Sequence, residues 1–205
     1  MTHPTDGRIL RRRQDAIAAG VGLAILIACG LVARDGTVGV LEQRAFEAIN
    51  GLTEALSPLM RSAQLLGVLA AGPIVAVVAL VLRRRRLAMA AVIVTIGKLL
   101  VERVVWQFVE RSRPGTTIAG AIVRGDTPTI GLSFVSGHVV LLVGLAWVVL
   151  PYLRGAWRMA PWLVVGLVVF ARVYLGAHAP LDVLGGFGLG LVVGGIANLI
   201  VGVPE

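Results

Sequence analysis

Long uncharged runs alternate with short clusters of arginine along the chain. Ala16 to Ala33 carries no charge, and neither does Ser62 to Leu82, which runs into the block Arg83–Arg86. Leu87 to Val109 is apolar at first but holds Lys98, Glu102 and Arg103 in its second half. Further apolar stretches run from Ser136 to Leu153, from Met159 through Arg172 toward Ala177, and from Val183 to Val203. A hydrocarbon layer of ~30 Å takes ~20 helical residues to cross. The strict apolar–polar alternation of a membrane barrel is absent, so helices are the way to satisfy the backbone in lipid. The pattern predicts an all-α integral membrane protein with six transmembrane helices. Charges facing lipid are costly, so the far end of the third helix is expected to face protein or water. Glycines in the sixth allow helix backbones to approach closely.

The remaining segments are polar or mixed. Residues 1–15, with Arg11, Arg12 and Arg13, read as a cytoplasmic tail. In residues 34–61, Val40, Leu41, Phe46, Ile49, Leu52 and Leu56 recur at roughly helical spacing among Glu42, Arg44, Glu47 and Glu54. That spacing fits an amphipathic helix lying at the membrane interface, and equally a surface loop with helical turns. Glu110 to Ile130 reads as a largely polar loop. Leu26-Ile27-Ala28-Cys29 resembles a lipoprotein cleavage box, but the reading taken is a cysteine inside a spanning helix. No internal repeat has a clear period, and residues 1–205 read as a single membrane domain.

Composition sharpens this picture. The chain is 57% hydrophobic and 15% charged, which is an integral membrane composition and not that of a soluble core. Its net charge of +8 comes from 18 arginines and 1 lysine against 11 acids. In such a chain that excess reads as topology and anion contact, not nucleic-acid binding. Cys29 is the only cysteine, which excludes a cysteine-based zinc or redox framework. With the N-terminus inside, the cytoplasmic segments collect ten arginines: 8, 11, 12, 13, 83–86, 154 and 158. The positive-inside rule then fixes the orientation. On that topology, Arg103 to Arg113, Ser136 to His138, Arg172, and His178 to Asp182 all lie on the outer face. Chance scatter would divide them between faces.

Their chemistry is that of an anion site. His3 is set aside in the terminus. His178 and Asp182 are four residues apart, so on a helix they share a face and can hydrogen-bond. A carboxylate on one imidazole nitrogen leaves the other free as nucleophile or base. Ser136-Gly137-His138 opens a helix whose free N–H groups favour an anion, and His138 is placed to protonate a leaving oxygen. Arg113 and Arg172 offer forked donors suited to phosphate. Each feature alone has a plain explanation: a self-satisfied helix start, a serine cap, a solvated or snorkelling arginine. Their joint occurrence on one face favours a site.

These residues resemble the type 2 phosphatidic acid phosphatase family, which includes the vanadium haloperoxidases. Its motifs are Lys-x6-Arg-Pro, Pro-Ser-Gly-His and Ser-Arg-x5-His-x3-Asp. Here they read Trp106-x6-Arg113-Pro114, Val135-Ser136-Gly137-His138 and Ala171-Arg172-x5-His178-x3-Asp182. The resemblance implies a PAP2/haloperoxidase-like core bundle and a metal-independent lipid phosphatase with no cofactor. It implies that His178 attacks phosphorus, Asp182 holds His178, and His138 protonates the leaving group and then activates water. Arg113, Arg172, Ser136 and Gly137 would bind the phosphoryl oxygens. Three positions depart from the pattern. Val135 for proline is mild, Ala171 for serine removes a hydroxyl, and Trp106 for lysine removes a positive charge. Arg103 and Arg111 are the candidate substitutes for that lysine.

The expected activity is hydrolysis of a lipid (di)phosphate at the outer leaflet of the plasma (inner) membrane. A polyprenyl (di)phosphate or polyprenyl-phosphate-sugar phosphate is favoured as substrate. Phosphatidic acid or phosphatidylglycerophosphate is the alternative. A phosphotransferase and a non-catalytic lipid-binding relative are the competing classes. A transporter fits poorly, because the charges gather at one face and not at the midplane.

Overall fold

The computed structural model describes residues 9–204; residues 1–8 and 205, and with them His3, Arg8 and most of the expected tail, lie outside the described residues. The helices are α1 (Arg13–Ala33), α2 (Val40–Asn50), α3 (Ser57–Gln64), α4 (Ala71–Val81), α5 (Arg85–Val105), a short α6 (Pro114–Thr117), α7 (Gly137–Val149), α8 (Ala160–Tyr174) and α9 (Pro180–Val201). A two-residue strand β1 (Ile9–Leu10) pairs antiparallel with β2 (Val203–Pro204). The chain folds as an all-α integral membrane protein. Among the described residues, three helices are long and apolar enough to cross a membrane: α1, Gly155–Tyr174 and α9. The stretch read as a second span is broken, because Glu54–Gly67 and Ala71–Val81 meet at 61°. α7 is a shorter apolar helix, and α5 carries Lys98, Glu102 and Arg103 in its second half.

α7 and α9 form the middle of the bundle. Val139 to Ala146 are all buried. The apolar window of α9 is 67% buried against 22% for α1, so the glycine-rich helix is central and the first is peripheral. Large apolar side chains on the outer faces of α1, α4 and α5, among them Ile17, Ile74, Val77 and Ile96, are exposed, as a lipid-facing surface requires. Glycine sets the spacing between α1 and α9. A Cβ on Gly188 would lie 2.6 Å from the Gly22 carbonyl oxygen, a backbone atom that cannot swing away. Gly188→Val is therefore expected to cost at least about 1–3 kcal/mol by overpacking. Thermal unfolding in detergent checks this, and an unchanged Tm would show that the two helices can part freely.

The expected tail is built into the fold from Ile9 onward. α1 begins at Arg13, so Asp15 lies inside the bundle, completely buried. Its carboxylate accepts from the Arg12 guanidinium (2.8 and 2.9 Å), Trp147 Nε1 (2.8 Å) and Asn198 Nδ2 (2.9 Å). A buried acid is tolerated when its oxygens are satisfied in this way.

Residues 34–61 form α2 and the start of α3. α2 buries Phe46 against Ile118, Val139 and Val143, while Val40 and Leu41 stay exposed. The segment read as a polar loop is anchored rather than loose. Arg124 is buried, donates to the Tyr174 carbonyl (2.7 Å) and Glu54 (2.7 Å), and stacks 4.2 Å over the Tyr174 ring. Gly176 ends the α8 turn at φ +73°, where any Cβ would lie 2.5 Å from the Ile122 carbonyl oxygen. Only glycine fits that conformation and that gap.

Candidate active site

The end of α5, the start of α7 and the end of α8 meet at one end of the bundle. With Gln64 of α3 and the loops after α5 and α8, they line a cavity of about 420 Å³. Arg113, Gly137, His138, Arg172 and His178 all line it. A larger cavity of about 600 Å³ at the opposite end is lined by Arg84, Tyr152, Arg154 and Trp157 and, among the described residues, by no imidazole or carboxylate. The two histidines and two arginines of the sequence motifs therefore gather in the smaller one.

Proline opens α9 at Pro180, so His178 precedes the helix and does not share a helical face with Asp182. The two are loosely opposed, with His178 Nδ1 3.8 Å from Asp182 Oδ2. The nearer partner of Nδ1 is the Ser133 carbonyl oxygen at 2.9 Å. A carbonyl can only accept, so Nδ1 carries the proton and Nε2 keeps its lone pair. Ser133 is itself fixed by its N–H to the Arg111 carbonyl (2.7 Å) and its hydroxyl to the Ser112 carbonyl (3.0 Å).

Asp182 spends its oxygens elsewhere. Oδ2 accepts from the Ala179 N–H at 2.8 Å and caps α9, while Oδ1 accepts from Arg111 Nη1 at 3.2 Å. Asp182 thus acts on His178 by fixing the adjoining backbone and through its charge. Burial, before all else, lowers the His178 pKa to about 4; Asp182 works against the shift and the Arg172 and Arg113 charges add to it.

The two arginines reach the cavity from different elements. Arg172 Nη1 donates to Gln64 Oε1 at 2.6 Å, and Arg113 Nη1 donates to the Ala177 carbonyl at 3.0 Å. Each keeps a buried Nε with no protein partner, as do the Ser136 hydroxyl and Trp106 Nε1. Burial also lowers the Arg113 pKa, with Asp182 and Glu102 opposing. Ser136 is the N-cap of α7, yet its hydroxyl makes no capping bond and is fully buried. Unsatisfied buried donors are rare and costly. Arg113, Arg172 and Trp106 line the cavity beside the α7 N-terminus and suit a guest rich in acceptor oxygens and negative charge, whereas Ser136 does not line it.

Neither candidate substitute for the missing lysine lines this cavity. Arg103 is exposed, because one residue beyond Glu102 turns it about 100° around α5. Arg111 lies fully buried behind the site, held by both Glu42 oxygens, by Asp182 and by the Thr37 carbonyl. Burial disfavours its charge, but the Glu42 hydrogen bonds and the Asp182 field outweigh that and raise its pKa. The cation that does line the cavity is Lys98, with its partner Glu102; Gln64 lines it as well. Lys98, Glu102 and Trp106 follow at intervals of four on one helix, a spacing readable in the sequence. Ser133 contributes a main-chain atom, and no sequence signal marks it.

The fold and cavity together define an integral membrane protein with a cation-lined pocket at one end of its helical bundle. The chain belongs to the PAP2 superfamily, whose family model matches residues 86–203. It is similar to a lipid A 4′-phosphatase of Porphyromonas gingivalis, at 36% identity over 64 residues. That match covers 30% of this chain and 26% of the relative, so the chain spans about a quarter of that curated protein. Two crystal structures share the fold. LpxE of Aquifex aeolicus aligns with a TM-score of 0.72 at 19% identity, over 78% of this chain and 95% of that one. The first transmembrane PAP2 type phosphatidylglycerolphosphate phosphatase from Bacillus subtilis aligns at 0.63 and 22% identity, over 87% and 94%.

Proposed function

We propose that the protein is a membrane lipid phosphatase that works through a phosphohistidine. The observation that carries this reading is the single cavity in which His138, His178, Arg113, Arg172 and the first turn of α7 face one another. His178 Nε2 attacks phosphorus; a P–N bond forms as the bond to the lipid oxygen breaks. His138 gives its proton to that oxygen. Water then attacks the phosphohistidine, His138 takes the water proton, the P–N bond breaks and inorganic phosphate leaves. Protons balance over the two steps, and the arginines and backbone N–H groups stabilise the charge on the phosphoryl oxygens.

A lipid-borne phosphate is supported by a second cavity. An apolar groove of about 330 Å³ between α4, α7 and α8 shares Leu65 and Val68 with the polar pocket. A headgroup in the pocket can therefore leave its hydrocarbon in the groove. The favoured substrate is a polyprenyl (di)phosphate or polyprenyl-phosphate-sugar phosphate. Phosphatidic acid and phosphatidylglycerophosphate are the alternatives, and the Porphyromonas gingivalis relative adds lipid A. Arg11 to Arg13, the α4–α5 turn and the segment 154–158 lie at the bundle end away from the pocket, where Arg11 reaches the Leu199 carbonyl and Arg86 the Val201 carbonyl. That charge distribution supports a cytoplasmic N-terminus, an extracytoplasmic site and residence in the plasma (inner) membrane. Purified protein given a panel of polyprenyl, glycerolipid and glycolipid phosphates is expected to release phosphate from at least one class. Lipid binding without release across the panel would favour the non-catalytic reading.

The site also fixes a pH dependence. His178 must be neutral to attack, and its pKa is lowered to about 4. The acid limb of kcat/KM that belongs to His178 is therefore expected near pH 4, well below the ~6.5 of a free imidazole. The same shift bears on stability. The folded pKa lies below the unfolded one, so the His178 contribution is complete above about pH 6.5 and is lost as pH falls toward 4. A His178-dependent limb near 6.5 would mean that the imidazole is solvated during turnover.

A further inference from the structure

We propose that Lys98 is a third cationic contact of the phosphate cradle and that Glu102 is the resident carboxylate it exchanges for the substrate phosphate. The inference rests on the reading of the cavity as a phosphate site and adds to it a residue pair that the motifs do not contain. Lys98 and Glu102 lie one turn apart on α5, and their Nζ–Oε2 distance is 2.6 Å. Both side chains are mostly buried, 16% and 10% exposed, and both line the cavity with Arg113, His138, Arg172 and His178. They sit directly against the first residue of α7. A Cβ on Gly137 would lie 2.5 Å from Glu102 Oε1 and 2.9 Å from Lys98 Nζ.

That placement puts a carboxylate at the positive end of a helix and beside an ammonium, which is the environment a phosphoryl group seeks. Glu102 thus occupies the electrostatic niche that the substrate would enter. Lys98 is long, flexible and a three-way donor, so it can turn from carboxylate to phosphate without moving the backbone. The position where the family motif has lysine holds Trp106, two turns further along the same helix or ~12 Å of rise. The missing charge is thereby supplied from deeper in the bundle.

Opposite-sign effects distinguish this from a structural ion pair. A pair that only supports the fold would lose stability when either partner is removed, with no opposed change in anion affinity. Orthovanadate, a phosphate-shaped anion, is titrated calorimetrically into wild-type protein, Lys98→Met, Lys98→Arg and Glu102→Gln, all in the same detergent. Lys98→Met is expected to weaken binding about 10- to 100-fold, the scale of one charge-assisted hydrogen bond. Lys98→Arg should stay within about threefold of wild type, because the charge is kept. Glu102→Gln should tighten binding by about threefold or more, because a competing anion is removed. Unchanged affinity in Lys98→Met, or weakened affinity in Glu102→Gln at unchanged Tm, overturns the proposal. If His178→Ala leaves phosphate release intact while Lys98→Met still weakens orthovanadate, the phosphohistidine reading fails and the Lys98 assignment stands.

Discussion

His178→Ala is expected to lower phosphate release by at least about a thousandfold, in line with the loss of an enzymatic nucleophile. Of the two imidazoles, only His178 has its tautomer dictated by the fold. The Ser133 carbonyl at 2.9 Å requires a proton on Nδ1, so the lone pair sits on Nε2 in every molecule. Burial keeps that imidazole neutral down to about pH 4. The loss should fall on kcat, since Arg113, Arg172 and the α7 N-terminus remain to bind the anion. The fold should survive, because the variant removes about one neutral hydrogen bond, worth roughly 1 kcal/mol. The measurement is phosphate release alongside orthovanadate binding. Undiminished release would show that another group attacks phosphorus. A simultaneous collapse of release and Tm would instead place His178 in the structure.

Arg111→Met is expected to produce the largest loss of stability, about 3–5 kcal/mol, as when one partner of a buried ion pair is removed. Arg111 has no exposed surface and joins two acids from distant parts of the chain, Glu42 on α2 and Asp182 on α9. Without it, the Glu42 and Asp182 side chains stay buried and lose the guanidinium that pairs with both. Glu42 also accepts the Leu181 N–H at 2.9 Å, so α2 and the start of α9 loosen together. The Tm should fall on the order of 10 °C for a chain of this size. Adding Glu42→Gln to Arg111→Met should recover part of the loss, since it removes one uncompensated charge. A variant with normal Tm but weakened orthovanadate binding would make Arg111 a ligand of the anion instead.

The polar positions of the site could be read from the chain because their motifs are local. Ser136-Gly137-His138 sits at a helix start, and Arg172 and His178 flank one short turn, so covalent spacing places each group. The balance of arginines predicted that the site residues share one end of the bundle, and Arg113, His138, Arg172 and His178 line one cavity. Reasoning from local spacing erred where partners come from elsewhere. Arg111 stands two residues from Arg113, yet it points behind the cavity because Glu42, 69 residues earlier, and Asp182, 71 later, hold it there. Lys98 lies eight residues before Trp106, farther than the motif suggests, and reaches the cavity because α5 packs its later turns against the start of α7.

By itself, then, the sequence determined the membrane-embedded helical class and the two histidines and two arginines that share one pocket. Helical period and hydropathy act over a few residues, and those features need no more. Tertiary structure alone decided that Ser133 rather than Asp182 faces His178 most closely, that Arg111 braces Asp182, and that Lys98 with Glu102 completes the cavity. Each of those outcomes except the last is a contact between segments far apart in the chain, and even the Lys98–Glu102 pair becomes part of the site only through Gly137. Packing geometry, which no local pattern encodes, sets which buried charge meets which.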